Sequence, residues 1–178
     1  RLESSGHKLV CGNEECGRES FPRIDPAIIV LVTNENACLL GGNSSWPEKR
    51  FSTLAGSVEP GESLEDALVR EVFEEAQGRL KRIRYVSSQP WPFPASAMCG
   101  FHAEAVSRDC GVSDEMEEVR WYTVKELDAA ISCDELRLPP PVSIAFQLIA
   151  DWYRQQCGED LAERVRNSGS WLRRKGIK

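Results

Sequence analysis

Apolar residues along this chain fall into short runs separated by turn residues, and the spacing within each run predicts an element. "AIIVLV" at 27–32 is a continuous β-branched run and reads as a buried strand. The turn "TNEN" and a second apolar run, "ACLLGG" at 37–42, complete a hairpin. Further strands are expected at 51–56, 82–88, 97–106 and 119–123, with the Pro-rich "QPWPFPAS" at 89–96 as a loop. Ser63, with Asp66 three residues on, is a capping-box signature and predicts a helix from about 63 to about 77. A short helix follows at 124–131 and a strongly amphipathic one at 142–156. There is no regular βαβ alternation and no internal repeat. The class is α/β, with a mixed sheet flanked by helices and the 63–77 helix central.

That central helix carries the chemistry. At about 100° per residue, Leu64, Ala67, Leu68 and Val72 share one arc. Glu75 falls inside the arc, Glu71 lies at its edge, and Glu74 is further round. The inward stripe therefore begins apolar and turns acidic. A solvated charged face is the ordinary fate of such residues, but the inward placement argues against it. Buried carboxylates are costly unless paired or bound to metal. Arg70 can pair with Glu74, yet one Arg cannot neutralise three acids. Clustered carboxylates with too few cations suit Mg²⁺ or Mn²⁺, which take oxygen ligands.

Composition narrows the function. Hydrophobic content of 41% and 178 residues are enough for one globular domain with a real core. A net charge of −6 argues against a broad nucleic-acid-binding face and means that a polyphosphate ligand needs cations to approach. No apolar run reaches membrane-spanning length, so no membrane partner is expected. The seven Cys are an odd number and mostly scattered, as in a reduced intracellular protein, cytoplasmic or organellar (peroxisome, mitochondrion and plastid included). The chain begins at Arg1 rather than Met and is expected to be a fragment, with a targeting segment or a preceding domain cut away.

The spacing continues upstream: Gly56, five residues, Glu62, seven residues, then Arg70-Glu71-Val72-x-Glu74-Glu75. This resembles the Nudix box of the Nudix hydrolases. The stretch "SQPWPFPAS", completed by Met98, resembles the sequence that follows the box in the NADH pyrophosphatase branch. The resemblance runs from about Cys11 to about Trp152. It implies an α/β/α sandwich around a mixed sheet, with a catalytic loop–helix–loop. It implies metal ligands at Glu71 and Glu75, Glu74 as a further ligand or base, the Ala55 carbonyl as a backbone ligand and Glu115 as a late acidic member. It assigns dinucleotide binding to Trp91, Gln89, Ser96, Met98, Phe21, Ile29 and Ala145. The implied reaction is Mg²⁺- or Mn²⁺-dependent hydrolysis of the diphosphate of NAD(H) to nicotinamide mononucleotide and AMP, with removal of NAD caps from RNA as the same cleavage in a larger molecule. A homodimer is implied as well. The rival reading is a dinucleotide sensor with the same fold and no turnover.

Two departures from the pattern bear on that rivalry. The residue after Gly56 is commonly Phe in this branch and stacks on a ligand ring; here it is Ser57, and Trp46 or Phe51 are the replacement candidates. The box expects Gly after Ala76; here Gln77 and Gly78 follow. The helix is expected to run one residue further, with Gly78 taking the left-handed terminating role. Trp91 itself has two readings, a core residue or a base-stacking one.

The resemblance divides the chain into a partial zinc-ribbon-like segment at 1–25, a Nudix domain at 26–157 and a basic tail at 158–178. Cys11 and Cys16 have the look of half a zinc site, the other reading being two free cysteines in a turn. Similar proteins carry another Cys pair upstream, so Zn²⁺ requires ligands outside this chain; His7 is a weak third candidate. His102 reads as structural.

Overall fold

In the computed structural model, which describes residues 2–3, 6–111 and 116–168, the β-branched run becomes the middle of the sheet. Strand β4 (Asp25–Asn34) alternates its side chains between two cores. Ile29 and Leu31 join one cluster, and Ile28, Val30 and Val32 the other. Both faces are therefore covered, which is why no polar residue interrupts the run. Around β4 lie β5 (Ala37–Asn43), β6 (Leu54–Ser57), β7 (Leu80–Trp91), β8 (Ser96–Ala105) and β9 (Met116–Thr123). The strand order is β7-β8-β4-β5-β9, with β6 also paired to β4. The β4–β8 pairing is parallel and the others are antiparallel, so the sheet is mixed. Helix α1 (Leu64–Ala76) covers one face, burying Ala67, Leu68, Val72 and Ala76. Helices α2 (Val124–Ser132) and α3 (Ile144–Cys157) cover the other. Each buried Leu or Val side chain contributes about 1.5–3 kcal/mol. The small strands β1 (Leu2–Glu3), β2 (Lys8–Val10) and β3 (Glu19–Ser20) form a separate sheet ahead of this sandwich.

Several elements differ from expectation. Strand β7 runs on to Trp91, so half of the expected 89–96 loop is paired: Gln89, Pro90 and Trp91 lie opposite Met98, Ala97 and Ser96. A fourth helix, α4 (Leu161–Asn167), falls inside the stretch expected to be a tail from 158. Asp160 caps it, accepting from the Ala162 amide at 2.7 Å, and Leu161 and Val165 enter the core. Arg164 pairs with Asp128 of α2 at 3.0 Å, and Tyr153 of α3 donates to the same carboxylate at 2.9 Å. Seven residues give too short a periodic signal to reveal this helix; burial of two apolar side chains fixes it.

The end of α1 is a clear correction. The helix stops at Ala76, and Gln77, not Gly78, is the left-handed residue, at φ 53° and ψ 19°. Tertiary contact explains the choice. The Gly111 amide donates to the Ala76 carbonyl at 2.9 Å, and the Gln77 side chain lies where a Cβ on Gly111 would be, 2.5 Å from Gln77 Cδ. Gly78 serves closeness rather than φ: a Cβ there would meet Val72 Cγ1 at 3.0 Å.

Candidate functional site

The turn "EPGE" sets the site's first edge. Pro60 and Gly61 occupy its centre, with Gly61 at φ +93°, a conformation that only Gly adopts readily. The Glu62 amide donates to the Glu59 carbonyl at 3.1 Å, and the Glu59 amide donates to Glu62 Oε2 at 3.0 Å. Ser63 then caps α1, accepting from the Asp66 amide at 3.1 Å. About two turns into the helix, Arg70 reaches back across this loop. Its Nε donates to Glu62 Oε1 at 2.7 Å and its Nη2 to Glu62 Oε2 at 2.9 Å, a bidentate pair. Its Nη1 donates to Glu71 Oε1 and Glu74 Oε2, both at 2.9 Å, and its Nη2 also to the Ser57 carbonyl at 2.9 Å. The Arg70 hydrogen bonds, followed by the Glu59 amide, hold the Glu62 carboxyl down to about 2, and Glu62 and then Glu71 push the guanidinium up.

The acids of α1 divide as the helical period predicts. Glu71 and Glu75 are half-buried and Glu74 is exposed. One carboxylate oxygen of Glu75 is fully buried. The Glu71 carboxylate fills the space beside Gly56: a Cβ on Gly56 would lie 1.8 Å from Glu71 Cδ. Gly56 follows Ala55, whose strand partner is Ile29. Among the described residues no three His, Cys, Asp or Glu side chains converge into a metal shell, because the Arg70 guanidinium stands among Glu62, Glu71 and Glu74. Glu115 lies outside the described residues. The donors still fit a hard divalent cation: they are carboxylate oxygens, and Gly56 leaves room for one of them against the sheet.

Beside the acids opens a cleft of about 340 Å³. Ile29, Ala55, Gln89, Trp91, Met98 and Ala145, drawn from β4, β6, β7, β8 and α3, all line it. The two readings of Trp91 are thereby separated: it is 38% exposed, at the cleft wall, with its ring edge-on to Phe93. Gln89 is committed to the scaffold. Its amide nitrogen donates to the Val142 carbonyl and its oxygen accepts from the Ile144 amide, each at 2.8 Å, tying β7 to the start of α3. Ser96 lies in an adjoining groove with Trp91 and Ala97. Phe21 is 68% exposed and is not among the residues lining the cleft. Ser57 is exposed and offers its carbonyl to Arg70. Of the two candidates for the missing ring, Phe51 is buried against Tyr122, whereas Trp46 lines the cleft. Arg50 and Thr53 also line it. Nothing in the sequence singled them out, since they sit in an irregular loop and a short strand edge without a motif.

Away from the cleft, Cys11 and Cys16 face one another across a turn and are exposed. A backbone hydrogen bond at Asn13, and then the Cys16 thiol, lower the Cys11 thiol below its ordinary value. His102 is half-buried on β8, and burial, with Arg84 nearby, lowers its imidazole.

A mixed sheet between helical layers, with an acid-bearing helix packed behind a Gly turn, defines a Nudix fold. The chain belongs to the Nudix family: the NUDIX domain model matches residues 23–140. It is 39% identical over 166 residues to the NAD-capped RNA hydrolase NUDT12 of Macaca fascicularis, covering 86% of this chain and 36% of that protein. It is 42% identical over 151 residues to the NAD-capped RNA hydrolase NudC of Mycobacterium bovis, covering 79% and 48%. The chain thus spans between a third and a half of the length of these curated relatives. A solved NUDIX hydrolase of Nitrosomonas europaea superposes with a TM-score of 0.62 at 22% identity, over 86% of this chain and 82% of that one, a likeness of fold. No helix of the described residues is long and apolar enough to cross a membrane.

Proposed function

We propose that this chain is a metal-dependent pyrophosphohydrolase that cleaves the diphosphate of NAD(H), or of an NAD cap on RNA, to release nicotinamide mononucleotide and AMP or the capped strand's 5′ end. The observation that carries this reading is the packing of Glu71 against Gly56, which sets the acidic end of α1 next to Ala55 and the cleft. The high identity to two NAD-capped RNA hydrolases supports the same substrate class.

Glu71 and Glu75, with Glu74, Glu115 and the Ala55 carbonyl, would hold Mg²⁺ or Mn²⁺. When bound, such an ion supplies charge neutralisation for the diphosphate and for the leaving phosphate. Glu74, the exposed member, would orient or deprotonate the attacking water. Trp91 and Trp46 offer ring faces at the cleft for a base or nicotinamide. Met98, Ile29 and Ala145 supply an apolar wall that excludes water. Gln89 and Ser143 position this wall by anchoring the start of α3. Arg70 keeps the box loop closed on the helix and holds Glu71 and Glu74 in register.

The Gln77-Gly78 departure alters only the helix end, downstream of all three acids. It gives no ground for a sensor without turnover. Incubation with NADH and with NAD-capped RNA in Mn²⁺, with product analysis, tests the reading: reduced nicotinamide mononucleotide and AMP are expected from NADH, and binding without products would establish the sensor instead. A homodimer belongs to the same reading, and light scattering at twice the 19.9 kDa chain mass is the expected result. Zinc on Cys11 and Cys16 requires further ligands beyond this pair.

A further inference from the structure

Among the described residues lining the cleft, Arg50 is the only one with a charged side chain. Its guanidinium lies over the Trp46 ring, 5.9 Å from the centroid, and that contact holds the group at the cleft wall. Among the described residues it makes no ion pair, in contrast to Arg70, Arg137 and Arg164. Three residues on, Thr53 lines the same cleft at 4% exposure. Its hydroxyl is buried with no hydrogen-bond partner in the protein. A buried hydroxyl left unsatisfied is uncommon in folded proteins and points to a group that arrives from outside. The start of the 14-residue helix α3 borders the cleft as well, adding partial positive charge.

We propose that Arg50 and Thr53 form a phosphate-binding subsite of the cleft. A guanidinium resting on an aromatic face keeps its N–H fork free, and that fork matches two phosphate oxygens. The Thr53 hydroxyl donates to a third oxygen and so gains the partner it lacks. In a chain of net charge −6, this cation is what draws the anionic ligand into the cleft, apart from the acids of α1. The subsite also accounts for the tolerance of Ser57: the Trp46–Arg50 pair grips the ligand where an aromatic ring after Gly56 is absent. The phosphate is either part of the ligand's diphosphate or an extra phosphate monoester on the ribose. This inference rests on the reading of the cleft as the dinucleotide site.

Titration calorimetry of NADH and NADPH in EDTA, where neither is hydrolysed, tests it with the full chain. Arg50→Met is expected to weaken binding at least tenfold and Arg50→Lys to weaken it less. Thr53→Val is expected to weaken binding severalfold while the melting temperature holds or rises, because it removes an unsatisfied buried hydroxyl. An equal loss for both ligands places the diphosphate at the subsite, and a larger loss for NADPH places the extra phosphate there. Unchanged affinity of Arg50→Met for both ligands, or no binding by the wild type, overturns the proposal. Wild-type protein that binds but does not turn over NADH in Mn²⁺ overturns the hydrolase reading and leaves the subsite standing.

Discussion

The carboxylate of Glu71 occupies the volume that a side chain on Gly56 would need. A Cβ built there falls 1.8 Å from Glu71 Cδ and 2.0 and 2.3 Å from its two oxygens. Gly56 is therefore required by contact, not by backbone angle. Gly56→Ala is expected to displace Glu71 and lower kcat by about a hundredfold, as small misplacements of reacting groups do. Circular dichroism should show the helix retained. Full activity in this variant would detach Glu71 from the chemistry.

Glu75 lies on the inward arc of α1, half-buried and with one oxygen fully enclosed. Glu75→Gln keeps the shape and removes the charge. Turnover of NADH should fall more than about tenfold, or over about 1.4 kcal/mol of barrier, with little loss of melting temperature. Retention of more than a tenth of kcat would remove Glu75 from the metal ligands.

The Glu62–Arg70 pair predicts a pH dependence of stability. The Glu62 carboxyl ordinarily titrates near 4.5 and is held at about 2 in the folded state, chiefly by Arg70. A depressed folded value means that the stabilisation is present above about 4.5 and is lost as the pH falls towards 2. The melting temperature of the wild type should therefore drop through that window. Glu62→Gln should melt lower at pH 7 and lose less on acidification. Parallel pH profiles for the two proteins would show that this pair does not contribute.

Gln77 holds φ 53° with a Cβ, a conformation that Gly adopts without strain. Gln77→Gly should raise stability by about 0.5–1 kcal/mol, partly offset by the lost packing over Gly111. Activity should stay within about twofold, since Glu71, Glu74 and Glu75 all precede the change. Chemical denaturation and NADH turnover check the two parts separately. A large gain of activity would mean that Gln77 impairs the natural site.

Trp91 stands at the cleft wall rather than in the core. Trp91→Ala should raise KM for NADH by an amount equivalent to about 1–3 kcal/mol, the range for one stacked base. Unfolding should be little affected. A fall in melting temperature with KM unchanged would make the indole structural.

What the sequence settles by itself is what short-range geometry dictates. The β-branched run had to be a strand covered on both faces, and the 3.6-residue period put Glu71 and Glu75 inward and Glu74 outward. Ser63 marked the start of α1 because a cap bonds within three residues of itself. Ile29, Ala55, Met98, Trp91 and Ala145 were legible through family resemblance, and they meet in one cleft. The rest depended on partners distant in the chain. Gln77 is left-handed because Gly111 caps Ala76 and accommodates the glutamine side chain. Gln89 serves the scaffold because residues 142–144 arrive beside it. Helix α4 exists where two apolar side chains reach the core. Arg50 and Thr53 became neighbours of the cleft only when β4, β6, β7, β8 and α3 enclosed it. Periodicity and capping act over a few residues and are written in the sequence, whereas burial and enclosure follow from which segments pack together, and only the folded chain decides that.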